Sequence, residues 1–157
     1  MITCLSSKYV DENIIINIFQ KVLGLTLKEY SGMGDYQLEP MGNEQDMQKN
    51  LPNIASCILR ACQTYYETPE EQLIQIISSI TVNHYLENGN KRTAVSAGVL
   101  YLLSYTVEGI NKEDASNWVI EKMQHLKKIS DSFAKAGNNF ENVKVEMIKF
   151  AKYEIFT

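Results

Sequence analysis

The stretch Lys91-Arg92-Thr93-Ala94-Val95-Ser96-Ala97-Gly98-Val99-Leu100-Tyr101-Leu102-Leu103-Ser104-Tyr105 decides the fold. Behind its two leading cations, apolar residues fall on every side of a helix rather than along one stripe. That pattern belongs to a helix enclosed by others. Such a helix needs amphipathic neighbours to cover it, and the rest of the chain supplies them.

Upstream, Thr68-Pro69-Glu70-Glu71 is a helix start: a hydroxyl to cap, proline in the first turn and glutamate three residues after the cap. The helix it opens carries Leu73, Ile76, Ile77 and Ile80 at helical spacing and ends near Asn83. Before it, Pro52 suits the first turn of a helix to about Tyr65 that buries Ile54, Ile58, Leu59 and Ala61 or Cys62. Ser6 or Ser7 caps a first helix to about Val22, with Gly24 as its stop. Downstream, Asn111 to Asp114 opens a helix with Ala115, Trp118, Val119, Met123 and Leu126 inward. A last helix from about Asn139 to Tyr153 uses Phe140, Val143, Met147, Ile148 and Ala151. The expected architecture is all-α: about six helices in one domain over residues 1–157, around a buried central helix.

Residues 25–50 lack periodicity and read as a long loop, a length more often functional or mobile than idle. Short strands forming a β-hairpin flap fit there. The hydrophobic fraction of 45% suits a chain that buries a core. A formal net charge of −4 argues against a general nucleic-acid binder. Cys4, Cys57 and Cys62 cannot all pair, and Cys57 and Cys62 point apart on a helix, so they read as small buried hydrophobes. No secretory leader pattern or membrane-length apolar run is apparent, so no membrane association and a cytoplasmic location are expected.

Immediately before the central helix lies His84-Tyr85-Leu86-Glu87-Asn88-Gly89-Asn90. A helix start presents backbone N–H groups and the positive end of a dipole. Lys91 and Arg92 add charge suited to phosphate, and Gly89 lets backbone come close to an anion. His84 is the side chain of the loop whose ordinary pKa suits proton transfer near neutral pH. Base and phosphate cradle in one loop read as phosphate-group transfer.

The run from His84 to Arg92 resembles the signature of the Fic/Doc superfamily, H-x-F-x-[D/E]-[A/G]-N-[G/K]-R. His84, Gly89, Asn90, Lys91 and Arg92 agree with it, whereas Leu86 replaces the usual Phe and Asn88 the usual acid. The resemblance implies a compact helical core, a flap near the active site, and His84 as the base that takes a proton from a target hydroxyl. Gly89, Asn90, Lys91 and Arg92 would bind the phosphates of ATP. Asn88 would stand at the position that helps hold Mg²⁺, as a neutral oxygen ligand in place of a charged one. Members that transfer AMP usually have Gly at the position of Lys91 and a second Arg at that of Val95, so both residues look like Doc toxins. The implied function is a Doc-like toxin of a toxin–antitoxin system, moving the γ-phosphate of a nucleoside triphosphate to a hydroxyl of a target protein, with translation factor Tu as candidate target. AMP or UMP transfer is the alternative, and a catalytically weak binding module a third reading.

Ser104 to Gly109 fits the family's inhibitory pattern [S/T]-x-x-x-E-[G/N], but about a dozen helical residues separate it from the cations, which puts it near the opposite end of the domain. Without an inhibitory element in the chain, a separate antitoxin is expected. His125 reads as a helix-surface residue, and Tyr65 and Tyr66 as packing residues.

Overall fold

A computed structural model describes residues 44–61, 66–86, 89–106 and 112–156. All regular structure among them is helical: α1 (Glu44–Ala61), α2 (Pro69–Asn83), α3 (Asn90–Thr106), α4 (Lys112–Ala134) and α5 (Phe140–Glu154), with a 3₁₀ turn at Gly137–Asn139 before α5. The all-α expectation holds for these residues. The expected first helix, residues 25–43 with the expected flap, Cys4, Cys62 and Tyr65 lie outside them.

The second expected helix needs correction. It begins at Glu44, so residues 44–50 are helix rather than loop, and Pro52 lies inside it rather than in its first turn. Glu, Gln, Met and Lys dominate residues 44–49, and all four are good helix formers. Pro52 is exposed, where water can reach the carbonyl that its missing N–H leaves unpaired. Local propensity thus outweighs the proline, whose interior cost is about 3 kcal/mol.

α2 starts as expected. The Thr68 hydroxyl oxygen accepts from the Glu71 backbone N–H at 3.2 Å, and the Glu71 carboxylate accepts from the Glu67 N–H at 3.0 Å. The carboxylate reaches the residue before the cap, one position further back than in a standard capping box. α2 packs against α1, α3, α4 and α5, making it the helix on which the others meet. Leu73, Ile74, Ile76, Ile77 and Ile80 are each at most 1% exposed. Burying each contributes about 1.5–3 kcal/mol, so their sum far outweighs the intrinsic helix tendency of the segment.

α3 is buried without a break from Thr93 to Leu102. Its polar groups find partners there: the Tyr101 hydroxyl donates to the Gln72 side-chain oxygen, and the Ser96 hydroxyl to the Arg92 carbonyl. Gly98 explains how closely α3 is enclosed. A Cβ built there would stand 3.2 Å from Ile77 Cδ1 on α2 and 3.3 Å from Leu126 Cδ2 on α4. Three helices meet at that glycine.

Of the residues expected inward on the last two helices, Val119, Met123, Leu126, Met147 and Ala151 are buried, and Trp118, Phe140, Val143 and Ile148 pack against the core from partly exposed positions. Cys57 is a free, buried thiol, as expected for a small hydrophobe. No helix among the described residues is long and apolar enough to cross a membrane.

Gly98→Val is expected to lower the unfolding free energy by about 1–3 kcal/mol through overpacking. The readout is a lower urea midpoint at unchanged slope. A midpoint equal to that of the parent would mean that α2 and α4 leave room at this crossing.

Candidate functional site

The loop between α2 and α3 is held at both ends. Its first residue, His84, caps α2 in the left-handed region (φ 49°, ψ 48°). That conformation costs an L residue about 1–2 kcal/mol, and it turns the chain out of the helix so that the imidazole is exposed. At the far end Gly89 has φ 85°, where a side chain would be strained, and its carbonyl accepts the Thr93 N–H at 2.9 Å to begin α3.

Asn90 closes the loop across its base. Its amide donates to the Leu86 carbonyl at 2.7 Å, and its side-chain oxygen accepts the Leu86 N–H at 3.0 Å. Both residues are buried, so the clasp satisfies backbone groups that water does not reach. Asn90 therefore shapes the loop; its side chain is committed to Leu86.

The two cations stand in the first turn of α3. Lys91 reaches across to α4, where its ammonium lies 3.3 Å from Asp131 Oδ1, both side chains remaining partly exposed. A lysine at a helix N-terminus and an aspartate in a helix's last turn are each at the wrong end of a dipole, and the pair offsets both. Arg92 is half-buried. Glu87 and Asn88 lie outside the described residues, as do Glu108 and Gly109 of the inhibitory-like pattern.

His84 lines a depression of about 190 Å³ with Thr81, Val82, Phe133, Ala134, Gly137 and Phe140. Phe133 and Phe140 form its aromatic floor, their ring centroids 5.3 Å apart. Thr81, behind the imidazole, shares a buried hydrogen bond of 2.9 Å with Ser130. Lys91 meets Asp131, and His84 lines its depression together with Phe133 and Ala134. The two ends of the loop therefore both face the last turn of α4. That wall was not legible in the sequence, since Asp131 and Phe133 belong to no motif and are brought in only by helix packing.

Tyr85, next to His84, points to α1. Its hydroxyl accepts from the Cys57 thiol at 3.8 Å and from the Asn83 amide at 3.3 Å. Burial raises its pKa, contact with Cys57 adds to the rise, and the nearby Arg60 cation partly offsets it. The hydroxyl therefore stays neutral in the physiological range. His125 is half-buried on its helix, its ring edge-on to Phe150 with centroids 5.5 Å apart. Tyr66 is half-buried; its carbonyl accepts from the Gln72 amide at 2.8 Å, and the Lys144 ammonium lies 5.7 Å from its ring centroid.

Among the described residues no three His, Cys, Asp or Glu side chains come close enough to hold a metal ion, and the Asp131 carboxylate is paired with Lys91. Asn88, the residue expected to face Mg²⁺, lies outside the described residues, and no step below is routed through a metal. Comparison with protein-family models, with curated proteins and with solved structures returns no match.

Asn90→Ala is expected to cost about 1–3 kcal/mol, because buried groups of Leu86 lose their partner. Faster hydrogen exchange at the Leu86 amide would report the opened loop. Unchanged exchange would mean that the turn at Gly89 holds the loop without the clasp.

Proposed function

We propose that this chain is a Fic/Doc-type enzyme that transfers a phosphate-containing group from a nucleoside triphosphate to a hydroxyl of a target protein, acting as a Doc-like toxin. One observation carries the reading: an exposed imidazole at the end of α2 and a cationic start of α3 are joined by a loop whose shape Asn90 holds. The phosphates would lie at the start of α3, where the helix end and the charges of Lys91 and Arg92 favour an anion. His84 accepts the proton of the target hydroxyl as its oxygen bonds to phosphorus. The bond from that phosphorus to the bridging oxygen breaks, and the nucleotide leaves with the electron pair. Little covalent help is needed in such a transfer; positioning and charge do most of it.

Lys91 and Val95, at positions where AMP-transferring relatives carry Gly and Arg, support γ-phosphate transfer. The target, with translation factor Tu as the candidate implied by the resemblance, and a separate antitoxin are the partners this reading calls for. A second reading, a catalytically weak binding module, draws support from the Lys91–Asp131 pair. In that state the lysine answers a carboxylate of its own chain rather than a phosphate.

Incubation of the protein and a target extract with ATP labelled at the γ- or the α-phosphate tests the proposal. Label from the γ position is expected on protein, and His84→Ala should lower the rate by about 10²–10⁴-fold. Label from the α position would indicate AMP transfer, and no label from either would leave the binding module.

Asp131→Asn should release Lys91 toward a phosphate and tighten ATP binding by about two- to fivefold, the worth of one exposed ion pair. Calorimetry checks this. Weaker binding would show that Asp131 assists the nucleotide instead of competing with it.

A further inference from the structure

α2 and α4 run side by side in the same direction, and three levels of contact show it. Ile77 and Leu126 meet at Gly98. Four residues further along each helix, the hydroxyls of Thr81 and Ser130 share a hydrogen bond of 2.9 Å. Three residues further again, His84 and Phe133 line the same depression. The hydroxyl pair is thus the level directly beneath the imidazole. Thr81 is 2% exposed and Ser130 1%, so water does not reach either.

The apolar contacts below that level are non-directional, and a small slide of one helix along the other changes them little. The same slide would break the hydroxyl bond and strand two buried polar groups. A polar contact set among apolar ones fixes register in coiled coils for that reason. Ser130 also precedes Asp131, whose carboxylate meets Lys91 at the start of α3. The base on α2 and the cations on α3 are therefore both referred to the end of α4.

We infer that Thr81 and Ser130 are positioning residues: their bond sets the register of α2 on α4 and so holds the His84 imidazole in place against the start of α3. The register needs no reading of function; its effect on catalysis rests on the transferase proposed above.

Denaturation, NMR and transfer kinetics of the full chain test this together. Thr81→Val and Ser130→Ala each leave one buried hydroxyl unpaired and should lower the urea midpoint. The double variant leaves none, so it should lose less stability than the two single losses combined. Despite that recovery, its His84 ring signals should stay displaced, because the contact that sets the register is gone. Those of His125, the other histidine, should hold, since its ring packs on Phe150 of α5. The kcat for transfer should fall at least about tenfold through misplacement of the base, while KM for ATP holds because α3 keeps its place on α4. A pair that served stability alone would regain ring signals and kcat along with the midpoint. Thr81→Ser keeps the bond and should keep the signals and kcat of the parent.

Parent-like His84 signals or undiminished kcat in the double variant would overturn the inference. So would stability losses that simply add, or a displacement in Thr81→Ser as large as that of the double variant. A parent that transfers no label overturns the enzyme proposal alone, and the ring signals then decide the register.

Discussion

Where α3 crosses its neighbours, Gly98 leaves so little space that a single added carbon would press on Ile77 of α2 and Leu126 of α4. The positions of the functional groups follow from that contact. Lys91 lies about two turns before Gly98 on α3, and Asp131 about one and a half turns after Leu126 on α4. Two antiparallel helices in close contact therefore bring the start of one beside the end of the other, and the Lys91–Asp131 pair is the result. The same approach puts Phe133 and Ala134 on the depression that His84 lines.

This arrangement is also electrostatic. The positive end of α3 and the negative end of α4 lie side by side, and each carries a side chain of the sign its own dipole disfavours. Together they form a neutral pair that an incoming anion would have to open. A site of that kind holds its lysine in reserve: a phosphate must offer more than a partly exposed aspartate does, and such pairs are worth about 0.2–1 kcal/mol. A triphosphate exceeds that easily, so the pair tunes the proposed site without closing it.

The ends of the loop are tied by short-range bonds rather than by the charges. Asn90 ties Leu86 through two hydrogen bonds in a buried setting, and Leu86 is itself part of the core. Leu86, where the motif it resembles usually has Phe, is thus apolar and buried. The imidazole stands on a left-handed turn between this clasp and the hydrophobic floor of Phe133 and Phe140. Catalytic geometry in general depends on such support beneath the reacting group.

Much of the fold was legible in the residues themselves. Thr68, Pro69 and Glu71 set the start of α2 through contacts that span a few positions, and the nearly all-round apolar character of Ala94 to Leu103 foretold an enclosed helix. Those signals are local, and local chemistry is what a sequence displays. Pro52 was misleading for the same reason: proline favours a first turn, but the helix-forming residues ahead of it carry the helix through. Within the candidate site, His84, Gly89 and Asn90 could be picked out from their order. What Asn90 and Lys91 touch could not. Asn90 is committed to Leu86 by the path of the loop, and Lys91 to Asp131, forty positions away, by the crossing at Gly98. Lining residues such as Phe133 likewise take on meaning only after α4 is laid against α3. Side-chain partners at that distance depend on crossing angle and register, which packing decides and no stretch of sequence carries alone.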